Sequence, residues 1–242
     1  MRYGGFSKAE MIPRLTTLQP ALTVAAHCGI IDVVELRIQH RVKLDTRHYD
    51  LCTPLHLTAS RGYYKVTSSL LNEDANIDTT KKFSQPPLWV AADHGLLKAV
   101  LILLKRGAKI NARANDQLTA LHTAIKQSDR EMIELLLRHH AHIEARDFSS
   151  LAALHHAFEN RHHIAINFLI LKGTAIQVRG KNSMTPLVCA AASGHFQIVE
   201  LLCKREASLR NVDEKKANAL CTVHWAAKND HLEVAEYLLA RK

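Results

Sequence analysis

Apolar residues along the chain recur three and four positions apart in short blocks: Val66 to Leu71, Val100 to Leu104, Met132 to Leu137, Ile198 to Leu202 and Val234 to Leu239. This spacing puts one apolar stripe on a helix and leaves the other side polar, so each block predicts an amphipathic helix that buries its stripe against a neighbour. A shorter Ala-rich block precedes each, with Ala-Ala pairs at 25–26, 91–92, 190–191 and 226–227. Paired methyl side chains allow helices to approach closely. The predicted unit is helix, turn, helix, loop.

The unit has a fixed period. Thr53-Pro54-Leu55-His56, Thr119-Ala120-Leu121-His122, Ala152-Ala153-Leu154-His155 and Thr185-Pro186-Leu187-Val188 end at positions 56, 122, 155 and 188, multiples of 33 apart. Filling the gaps places Thr23 and Trp89 in the same column, and Cys221-Thr222-Val223-His224 arrives 36 residues after Val188, an insertion of three. A second column agrees: Gly29, Gly62, Gly95 and Gly194, with Ser128, Arg161 and Asp230 in the other units. Such periods mark repeat architectures, in which each unit buries its apolar face against adjacent units only. A threonine oxygen can cap free helix amides and proline suits the first helical turn, so Thr-Pro encodes helix entry locally.

A 33-residue unit with Thr-Pro-Leu-His, an Ala pair, Gly, a Leu-rich second helix and the ending Gly107-Ala108-Lys109-Ile110-Asn111 resembles the ankyrin repeat. The resemblance covers roughly residue 15 to the C-terminus. It implies an all-α solenoid of stacked helix-turn-helix units, with loops projecting as β-hairpin fingers and a concave face formed by fingers and first helices. On that reading residues 1–14 are an N-terminal extension and 15–242 one repeat domain of about seven units, approximately 15–47, 48–80, 81–113, 114–146, 147–179, 180–215 and 216–242. It also implies that His56, His122, His155 and His224 hydrogen-bond between neighbouring loops.

Departures from the repeat pattern carry expectations of their own. The fingertip position two residues before the threonine, where the family uses glycine for its positive φ, holds Leu51, Ser84, Gln117, Ser150, Ser183 and Ala219, so ideal hairpins are not expected. After the second helix glycine survives only as Gly107 and Gly173, with Arg41, Asp74, His140 and Glu206 elsewhere, which weakens the C-caps. Arg37 stands in a column otherwise filled by Leu70, Leu103, Leu136, Leu169, Leu202 and Leu238, so the first unit is expected to bury less core.

Composition is that of an ordinary globular chain: 242 residues, 47% hydrophobic, 23% charged, only 5% aromatic. Apolar runs such as Ala99 to Leu104 fall far short of the roughly 18 residues of a membrane span. The first ten residues carry charges where a secretion signal needs an apolar stretch. An intracellular protein, cytoplasmic or nuclear and without membrane insertion, is expected. Five cysteines without a Cys-x-x-Cys pair indicate reduced, mostly buried thiols, and neither a disulfide framework nor a zinc module. The net charge of +9 can attract nucleic acid, acidic proteins or anionic surfaces without selecting among them.

Sixteen histidines raise a metal hypothesis, especially at His139, His140 and His142 and at the pairs His155-His156 and His162-His163. Adjacent histidines point in different directions on a helix, unlike the i, i+4 spacing of a zinc helix, so no metal site is expected. No phosphate-binding glycine loop occurs and no nucleophile–base–acid set can be argued from spacing, so the chain reads as a non-enzyme with no catalytic residue and no cofactor. Asn111, with Leu103 eight residues upstream, is similar to ankyrin loops hydroxylated on asparagine, which makes it a candidate modification site.

Positions on the concave face that the stack does not need are free to contact a partner. Before the Gly column these include Arg61, Asp93, His94, Lys126, Gln127 and Asn160; on the fingers they are Tyr49, Lys82, Phe83, Asn115, Phe148, Lys181 and Asn182. The reading is a scaffold for a protein or peptide, with Tyr49, Phe83 and Phe148 as apolar anchors and Arg61, Lys82 and Lys126 favouring an acidic partner. Two alternatives stay open: a basic array held on nucleic acid or another polyanion by counterion release, and a structural segment of a larger repeat protein. The basic residues at second-helix ends, Lys105-Arg106, Arg138-His139, Lys172 and Lys204-Arg205, complement the helix dipole, which weakens the first of these.

Overall fold

Short first helices alternate with second helices of eight or nine residues in the computed structural model, which describes residues 21–47, 49–176, 184–205 and 220–240. The described residues form 14 α-helices and no strand, an all-α repeat solenoid fold. Two compact units divide the chain, Met1–Asn115 and Asp116–Lys242. In the first, α1 (Ala21–Cys28) pairs with α2 (Ile31–Gln39), α3 (Pro54–Ala59) with α4 (Tyr64–Asn72), and α5 (Pro87–Asp93) with α6 (Leu97–Lys105). In the second, α7 (Ala120–Lys126) pairs with α8 (Arg130–Arg138), α9 (Ala153–Glu159) with α10 (His163–Leu171), α11 (Pro186–Ala192) with α12 (Phe196–Lys204), and α13 (Leu220–Lys228) with α14 (Leu232–Leu239). The N-terminal extension, Lys181 and Asn182, the fingertip positions Ser183 and Ala219, and Glu206 lie outside the described residues.

Helices this short are marginal alone in water, so packing must hold them. Within each unit first helices contact the next first helix, and second helices contact the next second helix along α2, α4 and α6 and along α10, α12 and α14. Ala25, Ala26, Ala91, Ala92, Ala190, Ala191 and Ala226 are fully buried where the first helices meet, and the leucine column from Leu70 to Leu238 is buried between second helices. Arg37 breaks that column as expected: α2 buries only Val34, and Leu36 is 51% exposed.

Thr53 and Thr119 enter their helices through a bond to histidine. His56 Nδ1 accepts from the Thr53 backbone N–H (3.2 Å) and hydroxyl (2.8 Å), leaving Nε2–H to donate to the Gln85 carbonyl (3.0 Å). His122 accepts from Thr119 in the same way, at 3.2 and 2.9 Å. Its Nε2 is buried near the Ala145 and Leu151 carbonyls but completes no hydrogen bond with either. At Ala152 only the backbone half survives: its N–H donates to His155 Nδ1 (3.2 Å), while His155 Nε2–H reaches the Met184 carbonyl (3.2 Å). His224 departs from the expected inter-loop role and is exposed. His224 stands on α13, the first helix of the last described pair, whereas His56, His122 and His155 are buried in theirs.

Carboxylates bind one loop to the next at the same 33-residue interval. Asp45 Oδ1 accepts from the Asn76 N–H (3.1 Å), Asp78 Oδ1 from the Lys109 N–H (3.0 Å), and Glu144 Oε1 from the Ala175 N–H (2.7 Å). Asn111 occupies this column, half-buried in the turn after α6.

Left-handed backbone recurs with the period even where glycine is missing. The fingertips Leu51, Ser84, Gln117 and Ser150 have φ between 55 and 62°, and Ser128, Arg161 and Asp230 in the Gly column have φ of 54, 55 and 61°. Arg41, Asp74 and His140 do the same after their second helices. The fingers are not regular hairpins: two fold as 3-10 turns, Tyr49–Leu51 and Lys82–Ser84, and one carries an isolated antiparallel bridge between Arg146 and Ala152. The stack therefore imposes the geometry that sequence alone disfavours.

Candidate functional site

In the first unit the fingertip residues meet one another. Phe83, at φ 62°, is 57% exposed, and Leu51 in the preceding tip is 51% exposed. Lys82 Nζ lies 5.3 Å from the Phe83 ring centre and 3.6 Å from Asp50 Oδ1, joining the two tips. The Asn115 N–H donates to the Phe83 carbonyl (2.9 Å), which ties the third finger to the second. Tyr49 opens the turn that carries Asp50 and Leu51.

The first-helix ends make a second row. Arg61 donates from Nη2 to His27 Nε2 (3.1 Å). His94 is exposed with Nδ1–H donating to the Val90 carbonyl of its own helix (2.8 Å), and Asp93 is half-buried beside it. Cys52 lies between the rows. Burial pushes its thiol up; Lys81 and Arg61 oppose that rise, and Asp50 adds to it. Arg61, Lys81 and Asp50 thus act electrostatically on one point between the fingers and the first-helix ends. Cys28, Cys52, Cys189 and Cys203 are half-buried and form no disulfide, so they are more exposed than the sequence suggested.

In the second unit Phe148 is 84% exposed at its fingertip, and its N–H donates to the Asp116 carbonyl (3.0 Å). The finger is built around Asp147, whose Oδ1 accepts from the Ser149 (2.8 Å) and Leu151 (2.9 Å) N–H groups. Its Oδ2 accepts from His156 Nε2 on α9 at 2.9 Å, and the His156 ring meets His122 edge-on, centres 5.3 Å apart. A buried histidine hydrogen-bonded to the finger thus positions the loop that displays Phe148. Lys126 and Gln127 are exposed at the end of α7, where the Lys126 carbonyl accepts from His162 Nε2 (2.6 Å), and Asn160 is exposed with its amide donating to the His156 carbonyl (2.8 Å).

Sequence reasoning missed Asp50 and Leu51 as members of the surface, because position 51 drew attention only as a fingertip lacking glycine. The missed signal was that an apolar residue replaces glycine at an exposed tip. It also missed Asp147 and His156. The charges at second-helix ends are largely engaged: Arg106 bonds to Asn72 Oδ1, Arg205 to the Ile170 carbonyl (2.7 Å), Arg138 to Glu134 (3.1 Å) and Lys204 to Glu200 (2.7 Å). Among the described residues no three His, Cys, Asp or Glu side chains gather in a metal-binding group, and no helix is long and apolar enough to cross a membrane.

No curated protein matches the chain. A model of three consecutive ankyrin repeats matches at residues 67–147, 88–179 and 154–242, and a single ankyrin-repeat model matches at 50–82. Ankyrin repeats are generally protein–protein interaction modules. These matches take in most of the chain, and the chain belongs to the ankyrin-repeat family.

Proposed function

We propose that the chain is a non-enzymatic scaffold that binds a protein or peptide through its fingers and first-helix ends, with an acidic partner preferred. The observation that carries this is the display of aromatic rings at fingertips: Phe83 and Phe148 are more than half exposed, and each is fixed through its backbone to an adjacent finger. A large apolar side chain kept in water on a fixed support is the usual anchor of an interface, and Lys82, Arg61 and Lys126 supply cations around it. Tyr49, Asn115, Asp93, His94, Gln127, Asn160, Lys181 and Asn182 complete the proposed contact set, and the seven-unit division of residues 15–242 belongs to the same reading.

The test is capture from nuclease-treated lysate at moderate and high salt, comparing wild type with a variant carrying Tyr49→Ala, Phe83→Ala and Phe148→Ala. Discrete proteins retained through both washes by wild type and lost by the variant, at unchanged far-UV circular dichroism, are the expected result. Equal retention by both refutes the placement of the surface. Loss of every bound protein on nuclease treatment or salt replaces the reading with polyanion association.

A further inference from the structure

The residues that open the second helices of the second unit include an unusual run of imidazoles: His162 and His163 at α10, His195 at α12 and His231 at α14. His195 sits in the middle. Its ring lies beside Phe158 of α9, centres 6.5 Å apart and planes 21° from parallel, and meets His163 edge-on at 4.3 Å. On the other side, the His231 ring presses onto Gly194, where an added Cβ would fall 2.5 Å from Nδ1; only glycine admits that approach. His195 Nε2 is buried and has no hydrogen-bond partner.

Among the described side chains, the charges that act on His195 are His163 from α10, Arg161 from the α9–α10 turn and His231 from α14, with no carboxylate among them. On α9, His155 and His156 are committed to the Met184 carbonyl and to Asp147. α11 carries no charged side chain, and Glu200 on α12 is paired with Lys204. Asp230 and Glu233 flank His231 in sequence but do not act on His195. A neutral imidazole packs well in such a place. An imidazolium would bring a desolvated N–H and a positive charge next to a guanidinium and two other bases.

We propose that this histidine column is an acid-sensitive latch, which holds α11–α12 against the helix pairs on either side while His195 is uncharged and parts them when His195 takes up a proton. Burial first, then His163, Arg161 and His231, lower its proton affinity below the ordinary histidine value of 6.5. The unfolded chain is protonated near that value while the folded chain resists, so the stabilisation is fully present above it and is lost as pH falls through the lowered folded value.

Amide hydrogen exchange of the full chain, corrected for intrinsic rates, is compared at about pH 7.5 and about pH 5.5, on either side of the ordinary histidine value. Wild-type α12 should lose protection several-fold more than α12 of His195→Phe, which keeps an aromatic ring against Phe158. Equal losses in the two proteins overturn the proposal. Should the variant not fold, the imidazole carbon-bound proton of His195 in wild type decides by NMR titration: a midpoint below the ordinary value supports the latch, and one at or above it overturns the proposal.

Discussion

Individual residues in this chain adopt backbone angles that their side chains disfavour, and that has a measurable cost. Ser150 holds φ of 62° at a fingertip, its N–H bonded to the Asp147 carbonyl and its own carbonyl accepting from Arg146 (both 3.0 Å). All of these bonds use the backbone of Ser150, so glycine would keep them and relieve the steric penalty. Ser150→Gly is expected to stabilise the second unit by up to about 1 kcal/mol, seen as a higher thermal midpoint. A lower midpoint would mean that the fingertip relies on the serine side chain or on restriction of the unfolded chain. His56 and His122 sit at the other extreme of constraint: burial holds both near a pKa of about 4, with His156 adding to the effect at His122.

At the level of helices, α2 is the weakest core element, because Arg37 replaces the leucine that seals every other described second helix. Arg37→Leu should restore that contact with α4 and raise stability by about 1–2 kcal/mol, read from urea unfolding of the full chain. An unchanged or lowered midpoint would show that α2 does not approach α4 closely enough to use the side chain. Helix placement was largely legible because period, Ala pairs and leucine columns all encode burial, which repeats regularly. Surface chemistry was less legible. The contact of Lys82 with Asp50 and Phe83 depends on how two fingertips lie together, and the grip of His156 on Asp147 spans nine residues of loop and helix without a repeating signature. The exposure of His224 was hidden because a column match places a residue in the repeat without showing what covers its side chain.

For the molecule as a whole, buried histidines dominate the response to acid. Those of the unfolded chain take up protons near 6.5, whereas His56 in the first unit and His122 in the second wait until about 4. Their stabilisation is complete above pH 6.5 and disappears on descent to about 4, at a loss on the order of 3 kcal/mol for each. Urea midpoints should therefore fall steeply across that interval, and a flat profile would contradict the burial of these rings. The carboxylate bonds from Asp45, Asp78 and Glu144 each reach one period along the chain and no further. Under mechanical tension such a design yields in instalments, each broken period paying out about 33 residues, on the order of 110 Å of slack, while the repeats still folded keep their own clasps closed.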